Sequence, residues 1–137
     1  MKELLYLYGA EAWIIRSSER KKVKVLEMKC LRSMVGMSPM DRVRNEEVRR
    51  RVGIERELAS RAEQRVMRWF GHVERMDEYH MARRVFMAEV SGGRVRGRPW
   101  LSWMDGVKLA LGNRGMTVEV ARQCPKDRKK WRALVHM

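Results

Sequence analysis

Apolar residues return at helical spacing along almost the whole chain, and no sustained strand-like alternation appears. The clearest stripe predicts a helix over 56–76. Leu58, Ala62, Val66, Trp69, Val73 and Met76 step by four, four, three, four and three, and Phe70 widens their face. Arg56, Arg61, Arg65, Arg68 and Arg75 lie opposite. A stripe of this kind is expected to be core, and the arginine face reads equally well as solvated surface or as a contact surface.

Val23, Leu26, Cys30, Leu31 and Met34 predict a second helix over 19–35, with Ser17 or Ser18 as its cap and Gly36 and Pro39 ending it. A short basic helix over 42–51 turns Val48 and Val52 inward and stops at Gly53. Another over 79–89 packs through Met81, Ala82, Val85 and Phe86. Pro99 precedes a helix over 100–111, in which Trp100, Trp103, Met104, Val107 and Leu111 face the core and Gly112 terminates. Thr117 caps a further helix that Pro125 stops. Asp127 caps the last, which holds Trp131, Leu134 and Val135. The expected fold is all-α: an irregular bundle of six or seven short helices around Trp69, Phe70, Trp103 and Trp131, with a Gly/Arg-rich loop.

Composition sharpens this picture. At 137 residues and 45% hydrophobic content, the chain is long enough and apolar enough to close one core. Charged residues reach 35%, and the excess is cationic: 31 Lys+Arg against 17 Asp+Glu, a formal charge of +14. Such an imbalance favours any polyanion without choosing among DNA, RNA and acidic membrane, and the alternative is a merely solubilising surface. The longest apolar run is too short to span a bilayer, and Glu3 and Glu11 interrupt the N-terminal patch that a secretory signal would need. Cys30 and Cys124 are far apart and read as small buried residues in a reducing compartment.

Charge is densest in Gly92-Gly93-Arg94-Val95-Arg96-Gly97-Arg98-Pro99-Trp100, which has three arginines, three glycines and no acid. Arg94, Arg96 and Arg98 are expected to grip phosphates from this loop. Arg49, Arg50 and Arg51, then Arg128, Lys129 and Lys130, would extend the track. Arg96-Gly97-Arg98-Pro99 also resembles the core of an AT-hook, in which glycine lets the backbone approach the minor-groove floor. Base-groove readout, phosphate contact and plain exposure all remain open for this loop.

Six strings, read in order, resemble the C-terminal region of a non-LTR retrotransposon reverse transcriptase, downstream of the polymerase fingers and palm. They are Leu7-Tyr8-Gly9-Ala10-Glu11-Ala12-Trp13, Asp41-Arg42-Val43-Arg44-Asn45-Glu46-Glu47-Val48, Arg68-Trp69-Phe70-Gly71-His72-Val73-Glu74-Arg75-Met76, Arg96-Gly97-Arg98-Pro99, Trp103-Met104-Asp105-Gly106-Val107-Lys108 and Asp127-Arg128-Lys129-Lys130-Trp131-Arg132. Two positions depart from the family pattern, Gly106 in place of a second acid and Trp100 in place of a basic residue. The resemblance implies a fragment without the polymerase core, whose adjacent metal-binding aspartates lie upstream; no Asp-Asp pair occurs in this chain. It implies a non-catalytic role in holding template RNA or target DNA, in an intracellular, nuclear setting. Residues 1–16 would then be a remnant of a polymerase-proximal segment, and 17–137 a basic helical C-terminal domain. The alternative is a decayed helical remnant or a protein-docking module, with residues 4–15 meeting a polymerase domain or a second copy.

Catalysis finds little support among the residues. Acids stand singly or side by side within helices, as in Glu46-Glu47 and Asp77-Glu78, and do not suggest a Mg²⁺ site. His72, His80 and His136 have no zinc spacing with the cysteines, and His72 reads as a packed or partner-bonded histidine. No nucleophile elbow, P-loop or dinucleotide fingerprint is present. The expectation is no enzyme activity, no metal and no cofactor.

Overall fold

The computed structural model describes residues 7–88, 97 and 101–136. These form seven α-helices and three 3₁₀ turns, with no strand among the described residues. The helices are α1 (Ser17–Met34), α2 (Asn45–Val52), α3 (Leu58–Glu74), α4 (Met81–Met87), α5 (Trp103–Gly112), α6 (Val118–Gln123) and α7 (Arg128–His136). The all-α expectation holds. No helix is long and apolar enough to cross a membrane among the described residues.

Local chemistry sets most of the ends. Arg16 rather than a serine takes the N-cap of α1, because the Glu19 carboxylate accepts from the Arg16 N–H at 3.0 Å. Gly53 closes α2 in the left-handed region at φ 76°, where a Cβ would be strained. Ser102 and Asp105 form a reciprocal capping box at the start of α5, so that helix begins three residues later than the apolar pattern suggests. Asp127 Oδ1 accepts from the N–H groups of Lys129 and Lys130 at 2.9 and 3.2 Å, as an N-cap should. The Arg83 guanidinium reaches the end of α3 and donates to the carbonyls of Val73, Glu74 and Met76, where the helix runs out of amide donors.

Helix α3 is the axis of the molecule. Residues 7–15 and helices α1, α4, α5 and α7 all pack on it. The main core joins Met67 and Phe70 of α3 to Val107 and Leu111 of α5 and to Trp131 and Val135 of α7. Phe86 of α4 meets Phe70 edge-on, with ring centroids 6.2 Å apart, and Trp103 in the same manner at 5.8 Å. A second cluster holds the α1–α2 hairpin together through Met28, Leu31 and Val48.

Two stripes sit differently from their predicted orientation. On α1, Leu26 and Met34 are exposed, while Glu27 and Met28 turn inward. Glu27 is drawn in because its carboxylate takes both terminal nitrogens of the buried Arg49, at 3.1 and 2.8 Å, and the N–H of Leu58 at 3.1 Å. On α3 the buried arc is rotated by about a quarter turn, at roughly 100° per residue, and includes Glu63, Gln64 and Gly71. Phe70 is 0% exposed and Trp69 is 39% exposed, so Trp69 leaves the core it was expected to anchor. Glu63 is held inside by Arg20 of α1, by Asn113 at 3.0 Å and by Arg114 at 3.5 Å. Residues 7–15 are partly docked: Leu7 and Ala10 are covered by α3 and the Trp103 indole donates to the Glu11 carbonyl at 2.7 Å, while Tyr8 and Trp13 stay exposed.

Candidate nucleic-acid interface

The rotation of α3 gathers its solvent-facing side chains into one band: Arg61, Arg65, Arg68, Trp69, His72 and Arg75. Arg68, His72 and Arg75 follow at four- and three-residue steps, so they stack along the helix. On α7, Arg128, Arg132 and His136 repeat every four residues. The two ladders line a cleft of about 640 Å³ between the helices, floored by Trp131 and Val135. Four guanidiniums and two imidazoles line it, and no carboxylate is among the lining residues.

Close approach of the helices forms this cleft. The Trp131 indole lies on Gly71, where any side chain would collide with it. The Arg68 guanidinium donates to His136 Nε2 at 3.2 Å, which makes that nitrogen the acceptor of a neutral ring. Arg56 donates to the His136 carbonyl at 2.8 Å, and Arg75 to the Pro125 carbonyl at 3.2 Å. Partial desolvation, then the cations Arg68, Arg56 and Arg132, hold His136 below the usual histidine pKa. Burial and the nearby Arg128 guanidinium likewise depress Arg75, which stays protonated all the same. Like charges here face one another, and the buried Trp131 N–H has no acceptor among the described residues.

Several cations elsewhere are met by acids. Lys24 lies 2.9 Å from Glu57, Arg122 lies 3.4 Å from Glu74, and Lys108 lies 3.6 Å from Asp105. None of these carboxylates lines the α3–α7 cleft.

The nine candidate phosphate contacts have different fates. Arg94, Arg96 and Arg98 lie outside the described residues. Arg49 is corrected: it is buried in a two-pronged pair with Glu27, so its guanidinium is already engaged. Arg50 and Arg51 are exposed, but both clasp Glu47, at 2.8 and 2.9 Å. Hydrogen bonds from Arg51, then Arg50, hold the Glu47 carboxyl below its ordinary pKa. Arg128 lines the cleft; Lys129 and Lys130 are exposed on the same helix outside it. Arg132, Arg68, Arg75, His72 and His136 complete the cleft and were not among the candidates. Their spacing on each helix was visible in the sequence; the pairing of α3 with α7 was not.

His72 is exposed rather than packed, its ring tilted 50° against that of Trp69 at 5.5 Å between centroids. His80 caps α4, its Nδ1 accepting from the Ala82 N–H at 3.4 Å. Cys30 and Cys124 are half-buried thiols. No group of three or more His, Cys, Asp or Glu side chains among the described residues could hold a metal. Compared with known family models, curated proteins and solved structures, the chain matches none.

Proposed function

We propose that this chain is a non-catalytic module that binds RNA or DNA with little regard to sequence, and that it derives from the C-terminal region of a non-LTR retrotransposon reverse transcriptase. The observation that carries this reading is the α3–α7 cleft, where Arg68, Arg75, Arg128 and Arg132 converge without a carboxylate. Folding has brought like charges together there, and a phosphate backbone is the counter-charge such an array accepts. Arginine suits this role, because its planar fork binds phosphate in two-pronged fashion. The overall charge of +14 would draw a polyanion in from a distance. The six resembling strings supply the source: in that setting the module holds template RNA or target DNA beside a polymerase carried elsewhere.

A second reading, docking onto a protein partner, is favoured by the outward Val25, Leu26 and Met34 of α1. The two separate in one titration. Anisotropy of a labelled oligonucleotide, followed from about 50 mM salt upward, should show binding that heparin competes away. Affinity should fall log-linearly with salt at about 0.7 to 0.9 units per phosphate engaged. Absence of binding at the lowest salt would leave docking as the standing interpretation.

A further inference from the structure

Trp69 poses a question that the basic cleft does not answer. It sits in the middle of the cationic band with a large apolar ring 39% exposed. Around it lies a second, shallower hollow of about 280 Å³, lined by Glu11, Arg65, Arg68, Trp69 and His72. Arg68 and His72 line both hollows and form the wall between them. One depression is therefore cationic, and the one beside it offers an aromatic surface. The Glu11 carboxylate, 3.9 Å from the Arg65 guanidinium, borders the smaller hollow and makes it unwelcoming to phosphate.

Resting on the nucleic-acid reading above, we infer that Trp69 is a stacking platform for an unpaired nucleobase, which makes single-stranded nucleic acid the substrate class of this interface. A nucleotide couples a flat π-surface to an anion through one sugar, and the paired hollows offer complements to both parts. The phosphates lie along Arg68, Arg75 and Arg132, while a base turns aside onto the indole. His72, tilted against Trp69, backs the platform. Arg65, one turn before Trp69, is placed to stack its guanidinium on the base. A base in a duplex has both faces covered by its neighbours, so only an unpaired base can take this position. Stacking is indifferent to base identity, in keeping with sequence-tolerant binding.

The test uses the full chain and three probes of matched length: a single-stranded oligonucleotide, in ribo and deoxyribo forms, its duplex, and inorganic polyphosphate. Trp69→Ala should weaken single-strand binding about fivefold to a hundredfold, while Trp69→Phe restores most of it. Duplex and polyphosphate affinities should not move. Wild-type chain should also bind an abasic strand more weakly than the intact one by a similar factor, a comparison that needs no variant. Loss confined to the ribo or the deoxyribo strand supports the platform and assigns it to that sugar. If Trp69→Ala leaves single-strand binding intact and abasic strands bind equally well, the platform is refuted while the cleft stands. If no probe binds at low salt, the nucleic-acid reading itself fails, and the platform with it.

Discussion

Trp131 lies so close to Gly71 that a Cβ added to the glycine would fall 2.0 Å from the indole Nε1. This one contact decides how near α7 comes to α3, and so the width of the cleft between their cationic ladders. Phe70 packs against the same indole, with ring centroids 5.9 Å apart. The tryptophan is thus both a core residue and the floor of the cleft.

Gly71→Ala should push α7 outward. Overpacking of this kind costs about 1–3 kcal/mol, and the urea midpoint should fall with an unchanged slope. Oligonucleotide affinity should drop as well, because the ladders separate. An alanine variant as stable as wild type would mean that the helices are not in this contact in solution.

Arg49 and Arg50 are neighbours with opposite fates. Arg49→Ala leaves the Glu27 carboxylate buried without its partner, a loss of about 3–5 kcal/mol. Arg50→Ala removes one of two exposed partners of Glu47 and should change stability by no more than about 0.5 kcal/mol. Thermal or urea denaturation of the two variants side by side checks the difference; equal effects would contradict the inward placement of Arg49.

Each arginine of the cleft should account for a share of the salt dependence. Arg68→Ala, Arg75→Ala and Arg132→Ala are each expected to reduce the slope of log affinity against log salt by about one unit. Lys108→Ala, whose ammonium lies 3.6 Å from Asp105, should leave the slope nearly unchanged. A uniform response across all four would point to diffuse attraction rather than a defined track.

The pH response follows from His136, whose folded pKa is held below the ordinary histidine value of about 6.5. The unfolded chain therefore binds a proton more readily, and stability should decline as pH falls through about 6.5. His136→Gln should flatten that part of the profile. A bound polyanion reverses the local field of Arg68, Arg56 and Arg132, so the His136 midpoint should rise on binding and affinity should grow as pH falls. NMR titration of the ring protons, with and without oligonucleotide, measures both; a midpoint at or above 6.5 in the free chain would contradict the cationic surroundings.

Much of this architecture was legible from residue spacing and caps. Gly53, Thr117, Pro125 and Asp127 mark ends where they were expected, although Thr117 holds the N-cap position without a side-chain cap bond. The orientation of α3 was not legible, since Glu63, Gln64 and Gly71 look like surface residues until their distant partners are known. Glu63 is buried only because Arg20, Asn113 and Arg114 converge on it, and Gly71 only because Trp131 needs the room. Trp69 misled for the same reason: an aromatic on an apolar stripe reads as core, yet a quarter turn places it at the rim. The candidate site was half visible. Arg128 was expected, and the arginines of α3 were visible as a face, but which helix would confront them depended on contacts sixty residues apart in the chain.

The Glu27 carboxylate serves two masters at once, the Arg49 guanidinium on α2 and the first amide of α3. The hairpin therefore cannot lift from the central helix without stranding a carboxylate, a guanidinium and a helix terminus together. Partial opening is thereby made dearer than it would otherwise be, and the hairpin is tied to the same central helix that carries one of the basic ladders.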